Sequence, residues 1–309
     1  MVERAGGGRE PPAPFLYFIA GKQMRNLWKI FFNERLHIVL SSMALLWCWD
    51  RILAMGVRPI DYFILPLAVA CICQWNRLTD LREDAVNCPE ELEEALKRER
   101  RIRLFCYIGG ATAIALALAS DPTWPVAAVV ISGAAIGFFY STSPWPGRAT
   151  LRIKNLFVLK NLMSGIGWTL GLLVYPALRA GHSLDGPFWL ASAYMFLAVM
   201  AHEIIWDMRD VAGDRAAGVR SLPVVAGPGM TKALVLAAMT ILATIVAASV
   251  AARLVPSWWL LLVPHAAILA LVAAQFDGWF HSSRLVTYLL VVMTTVFSFG
   301  MGLLAIRLS

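Results

Sequence analysis

The chain has 309 residues, 59% of them hydrophobic and only 15% charged, with a net charge of +7. Soluble globular domains carry nearer a quarter charged residues, so a soluble fold, disorder, collagen and a polar-faced solenoid are excluded. No basic, aromatic-rich soluble segment is left over to bind nucleic acid.

Apolar residues come in blocks of about 20, the length that spans a bilayer as helix. This predicts an all-α polytopic membrane protein. Residues 1–30 form a polar N-terminal segment, and Met1 to Pro14 lacks the apolar run of a cleavable signal peptide. Nine transmembrane helices follow, at about 36–54, 59–77, 103–120, 124–142, 156–178, 187–206, 231–252, 256–275 and 285–306. Polar loops fall at about 78–102, 143–155 and 207–230, and the other connections are short. Of the 27 Lys and Arg, 22 fall on the side of the N-terminus and the long loops, and 5 on the other. Positive charge is retained on the inner face. The expected protein therefore sits in the cell inner membrane, with its N-terminus and long loops cytoplasmic and membrane lipids around it.

Five Asp residues cluster at the cytoplasmic ends of spans 2 and 6. Asn76, Asp80 and Asp84 are spaced i, i+4, i+8, and Asp207, Asp210 and Asp214 are offset by 0, 3 and 7. Each triplet shares one helix face. Carboxylates near an apolar bundle mouth must be paired or bind a cation. Oxygen ligands without His or Cys suit Mg²⁺, which keeps waters and shares its shell with substrate phosphates. The predicted metal ligands are thus Asn76, Asp80, Asp84, Asp207, Asp210 and Asp214, with a phosphorylated molecule held between the two helices. The bland alternative is that these acids solvate helix ends and pair with Arg77, Arg82, Arg209 and Arg215. Asp61, at the outer start of span 2, reads as an ordinary helix-end charge.

The two halves echo one another, each with a span, an acidic cluster, a long loop and two spans joined by a short turn. The expected bundle is two four-helix parallel repeats plus one helix, with the site at their interface. Arg148, Arg152, Lys154, Lys160 and Asn161 follow Tyr140 on a Pro/Gly-bent loop, where cations can grip a diphosphate and stabilise it as it leaves. Positive-inside topology alone also accounts for them. The segment around Gly218, Pro223 and Gly227 is turn-rich and suits a lid. Asn87 and Pro89 read as the start of a solvated helix braced by Glu93 to Lys97 and Glu94 to Arg98. His202 reads as a packed core histidine. Cys48, Cys71, Cys73, Cys88 and Cys106 match no zinc or disulfide spacing and read as small apolar filler.

At these residues the chain resembles the UbiA superfamily of intramembrane prenyltransferases. Asn76, Asp80 and Asp84 match its NxxxDxxxD motif, and Asp210 and Asp214 its DxxxD motif, with Asp207 as the usual preceding acid. The run from Glu203 through Asp214, Arg215 and Gly218 to Pro223 is close to the family pattern, and Tyr140 before a basic loop also fits. After the first motif the family often has an Asn-Arg-Pro-Leu-like stretch, where this chain has Asn87, Cys88, Pro89 and Glu90. The resemblance implies a transmembrane prenyltransferase domain over 31–309. It implies that two Mg²⁺ bind an isoprenyl diphosphate donor, whose C–O bond ionises so that an allylic cation alkylates an unidentified acceptor. Asp80, Asp84, Asp210, Asp214, Arg152 and Lys154 are the expected catalytic residues. Asn76, Tyr140, Arg148, Lys160, Asn161, Glu203 and Arg215 are the expected substrate-binding residues. A terpene cyclase of the same superfamily and a cation-coupled transporter are the alternatives.

Overall fold

The computed structural model describes residues 30–143, 152–277 and 283–308, and these are helices and connections without a strand. Arg148 and residues 1–29 lie outside the described residues. In chain order the helices are α1 (Leu36–Leu53), α2 (Asp61–Thr79), α3 (Leu81–Asn87), α4 (Pro89–Lys97), α5 (Glu99–Ser120) and α6 (Trp124–Ser141). After a 3₁₀ turn (Ile153–Asn155) come α7 (Leu159–Thr169), a π turn (Leu170–Val174) and α8 (Tyr175–Ala180). Then follow α9 (Gly186–Arg209), α10 (Val211–Ala217), α11 (Leu222–Ala251), a 3₁₀ turn (Ser257–Leu261), α12 (Leu262–Ala274) and α13 (Ser283–Leu308).

Among the described residues seven helices are long and apolar enough to cross a membrane, where nine spans are expected. The second and fifth expected spans do not qualify. α2 carries Asp61 at its start and Gln74, Asn76 and Arg77 in its last turns, and the fifth is divided among α7, the π turn and α8. Seven such helices make this an integral membrane protein. Its outer surface is apolar, with Trp124, Ile131 and Leu303 strongly exposed, as a lipid-facing surface requires.

α1 packs along α13, α2 along α5, and α9 along α7 and α11. The seams run through small residues. A Cβ on Gly137 of α6 would fall 2.7 Å from Ile72 of α2.

The halves match where the acids sit. Asp80 ends α2 and starts α3 at φ −93° and ψ 28°, while Asp210 ends α9 and starts α10 at φ −93° and ψ 11°. The i→i−4 bonds run on through both, from Asp84 N to Asp80 O at 2.8 Å and from Asp214 N to Asp210 O at 2.9 Å. Each acidic face therefore carries over into a seven-residue helix, and α3 packs against α10.

Four expectations change. The turn-rich segment after Gly218 is helical from Leu222 rather than turn: Pro223 occupies the first turn of α11, where its missing N–H costs nothing, and the helix kinks at Gly227, φ 78°. Asn87 does not cap α4, since Cys88 takes the N-cap position. Lys97 pairs with Glu93 at 2.6 Å as expected, but Arg98 reaches Glu34 at 2.6 Å and Glu94 accepts from Asn33 at 3.0 Å. Asp61 is wholly buried, 3.2 Å from Arg179 Nε and accepting from Tyr175 Oη at 3.1 Å. These partners lie more than a hundred residues away, so no local pattern announces them.

Candidate active site

α2 and α9 deliver their acidic ends to opposite walls of one cavity of about 310 Å³. Asn76, Asp80 and Asp84 line one side and Asp207, Asp210 and Asp214 the other, with Glu203, Tyr140, Lys154 and Lys160 also in the wall. Asn76 is oriented by Ser141 Oγ, which donates to its Oδ1 at 2.8 Å.

Each acidic cluster holds one lysine. Lys154 Nζ lies 2.5 Å from Asp80 Oδ1 and 2.8 Å from Glu83 Oε1. Lys160 Nζ lies 2.7 Å from Asp207 Oδ1 and 3.0 Å from Asp214 Oδ2. Asn161 Nδ2 donates to the other Asp207 oxygen at 2.9 Å. The chain reverses between the two lysines at Val158, whose φ of 69° is strained for a β-branched residue.

Arg152 stands behind this wall. Its guanidinium donates to Thr79 O at 3.1 Å, Glu83 Oε1 at 2.9 Å and Asn155 Oδ1 at 3.2 Å. Like Asn161 it does not line the cavity, and it touches the site through Glu83. Arg215 is exposed on α10 and is not brought to the cavity. Asp210 is held by its neighbour Arg209 at 2.7 and 2.5 Å.

Two residues of the site have no place in the motifs. Glu83 is buried and grips both loop cations. Burial raises its carboxyl, but Lys154 and Arg152 outweigh that and hold it below the ordinary range. Its i+3 spacing from Asp80 was the available signal. Asn87, i+3 from Asp84, accepts from Gly213 N at 3.0 Å and donates to Asp210 O at 3.4 Å, tying α3 to α10.

Seven carboxylates and five Lys or Arg line the cavity, so its wall is formally short of two positive charges. The Asp84 carboxyl is pushed up to about 6 by burial and by Asp80. Among the described residues no three acids, His or Cys form a ready-made metal cage. Mg²⁺ needs none, because one or two carboxylates, waters and substrate phosphates complete its shell. An oxygen-only donor set with a negative surplus fits that ion.

The cavity opens into two apolar arms. The larger, about 450 Å³, lies among α2, α5, α6 and α7 and shares Val69, Ile72, Gly137 and Trp168 with the acidic chamber. The smaller, about 80 Å³, lies among α1, α9, α12 and α13 and shares Ile38, Trp168, Glu203 and Trp206 with it.

Known proteins share this architecture. A UbiA homologue from Archaeoglobus fulgidus, solved bound to DMAPP and Mg²⁺, superposes with a TM-score of 0.69 at 15% identity, over 91% of this chain and all of that one. A UbiA homologue from Aeropyrum pernix K1 superposes with a TM-score of 0.63 at 20% identity, over 87% of this chain and 98% of that one. The digeranylgeranylglyceryl phosphate synthase of Halobacterium salinarum is 35% identical over 107 residues, 33% of this chain and 36% of that protein. That of Methanothermobacter thermautotrophicus is 31% identical over 99 residues, 32% of this chain and 31% of that protein. The chain thus spans about a third of the length of these relatives. The model of the UbiA prenyltransferase family matches residues 43–294. Matched over most of its length, the chain belongs to the UbiA prenyltransferase family.

Proposed function

We propose that the protein transfers a prenyl group from an isoprenyl diphosphate to a small or lipidic acceptor within the membrane. The observation that carries this is the joining of an acid-lined polar chamber to a long apolar arm. Such a shape suits a ligand with a charged head and a hydrocarbon tail. The arm follows α2 from Trp75 to Ile64, about 16 Å at 1.5 Å per residue, room for several isoprene units.

Asn76, Asp80, Asp84, Asp207, Asp210 and Asp214 would hold Mg²⁺. When bound, Mg²⁺ neutralises diphosphate oxygens and eases their departure. Lys154 and Lys160, buried in the chamber wall, add positive charge where the diphosphate leaves. Arg152 and Glu83 position Lys154. In the reaction the C1–O bond breaks with its electron pair going to the diphosphate, an electron pair of the acceptor forms the new bond to C1, and the acceptor loses a proton. The apolar arm keeps water from the allylic cation. Tyr140 and Glu203 face the same space, and Arg148, named from the sequence alone, stays in the proposed head-group set. Arg215, exposed, drops from it.

The charge asymmetry of the loops supports a cytoplasmic chamber in an inner-membrane protein, and the continuous but more polar α2 and the divided fifth span, added to seven apolar helices, support nine crossings. The names of the curated relatives point to a glyceryl phosphate lipid as one acceptor class. The test is incubation of purified protein with labelled C10 to C20 diphosphates and Mg²⁺, with and without a membrane extract. Diphosphate release only with extract, with a prenylated lipid, is the expected result. Release without extract, with a hydrocarbon product, means a cyclase. No release at all, with cation uptake into vesicles, means a transporter.

A further inference from the structure

The larger arm is open at one end and blind at the other. Near the chamber its wall includes Tyr107 of α5 and Phe138 of α6, 58% and 44% exposed on the outer surface of the bundle. At the far end, toward the start of α2, it is lined by Ile64, Leu65, Ala113, Ala117, Leu172 and Tyr175, all buried. Tyr175 follows directly on the π turn Leu170–Val174, and Gly171 of that turn lines the arm with open space where a Cβ would stand. Beyond Tyr175 the chemistry changes. Its Oη donates to Asp61 Oδ1 at 3.1 Å, and the Arg179 guanidinium lies 5.4 Å from its ring centroid. Arg179 pairs with Asp61 at 3.2 Å through Nε and donates through Nη1 to Ala117 O at 3.3 Å and to Ser120 Oγ. The apolar arm thus ends on one aromatic ring with a buried ion pair behind it.

Hydrocarbon does not part a buried ion pair, because the separated charges would be left uncompensated. Nor can the ring swing aside without stranding its own hydroxyl and an oxygen of Asp61. We infer that Tyr175, backed by Asp61 and Arg179, sets the length of the prenyl tail that the arm takes. This rests on the prenyl-transfer reading and deepens it, from a hydrocarbon tail of any size to one of definite length. The arm follows α2 from Trp75 to Ile64, about 16 Å at 1.5 Å per residue. An extended isoprene unit advances about 5 Å, four zigzag bonds of about 1.5 Å each. About three units, a C15 tail, therefore reach from the chamber to Tyr175. The fourth unit of a C20 tail must leave by the open side and gains nothing from the arm. Asp61→Asn keeps an acceptor for the Tyr175 hydroxyl, so the stop survives that change.

The probes are thiolodiphosphate analogues of C5, C10, C15 and C20 donors, which bind without ionising, titrated with Mg²⁺ against the full chain in lipid nanodiscs. Comparing variant with wild type for the same probe cancels partition into lipid. Tyr175→Ala frees about the depth of one ring and should raise C20 affinity about tenfold, because a few more carbons are buried, with C5 and C10 unchanged. Tyr175→Phe keeps the ring and should keep the wild-type profile. Gly171→Leu fills the arm short of the stop and should lower C15 and C20 affinity about tenfold, with C5 unchanged. Thermal unfolding checks that each variant is folded, and Tyr175→Leu takes the place of Tyr175→Ala if that one is not. C20 affinity indifferent to shortening Tyr175, a profile shifted as much by Tyr175→Phe as by Tyr175→Ala, or C15 affinity indifferent to Gly171→Leu overturns the inference. The donor reading fails separately: then none of the four probes binds the wild-type protein. Binding of all four with a profile that ignores position 175 removes only the stop.

Discussion

Asn87 and Gly213 hold the two acidic helices at a fixed separation. Asn87 Oδ1 accepts from Gly213 N at 3.0 Å, and a Cβ on Gly213 would lie 2.2 Å from Asn87 Nδ2. The contact joins residues 126 apart in sequence, one from each half of the bundle, and it sets how far Asp84 stands from Asp210 and Asp214.

Asn87→Ala strands the buried Gly213 N–H and should cost about 1–2 kcal/mol. Gly213→Ala drives a methyl into Asn87 and should cost about 1–3 kcal/mol. In the double variant the smaller side chain makes room for the methyl, so the loss should fall short of the sum by about 1 kcal/mol. Unfolding of all four proteins in one detergent measures this, and strict additivity would deny the contact. Diphosphate affinity should fall in both single variants, because the chamber walls move.

The acid clusters separate from ordinary helix-end charges by neutralisation without loss of shape. Asp80→Asn and Asp210→Asn should each lower turnover by about 10²–10³-fold with a much smaller effect on stability, since the buried Lys154 keeps Glu83 when Asp80 is neutralised and the Asp210–Arg209 pair is partly exposed. Asp277→Asn is the control: Asp277 is 65% exposed and, among the described residues, pairs with Lys232. Equal loss at Asp277 and Asp80, or none at either motif residue, would sink the assignment.

Lys154 and Arg152 should part company in kinetics. Lys154 lines the chamber and Arg152 does not, so Lys154→Ala should reduce kcat by about 10²–10³-fold. Arg152→Ala acts through Glu83, and its deficit should be matched by Glu83→Gln. Glu83→Gln should also destabilise the protein by about 3 kcal/mol, because two buried cations lose their shared carboxylate. Wild-type rates in both lysine and arginine variants would assign these residues to topology alone.

Chelation should abolish turnover, and Mg²⁺ or Mn²⁺ should restore it, because the donor set is oxygen alone. Full turnover in excess EDTA is the result that removes the metal. Thermal unfolding supplies a readout besides activity. Mg²⁺ with diphosphate should raise Tm in the wild type, as any ligand of the native state does, and should raise it less in Asp80→Asn.

On the opposite side of the bundle from the chamber, Asp61→Asn should be costly to folding. Asp61 is fully buried against Arg179, and removing its charge leaves a buried guanidinium uncompensated, about 3–5 kcal/mol. Neither residue lines a cavity described above, so turnover per folded molecule should hold. Unfolding and active-site-normalised rates on Asp61→Asn decide both halves of this statement.

What the sequence determined by itself was local and periodic. Apolar blocks of bilayer length set the helices, and the spacings of Asn76, Asp80 and Asp84 and of Asp207, Asp210 and Asp214 set two acidic faces, because helix geometry fixes which residues share a side. Lys154 and Lys160 were legible only as cations on the Pro/Gly-bent loop that follows Tyr140. The tertiary structure decided which groups meet across the bundle. Lys160 sits between Asp207 and Asp214, Glu83 holds Arg152, Asn87 locks to Gly213, and Asp61 is buried on Arg179. It also decided the kink at Gly227, the broken fifth span and the two arms of the chamber. These depend on how helices pack, and a cavity or a buried pair belongs to several helices at once, so no single segment's period encodes it.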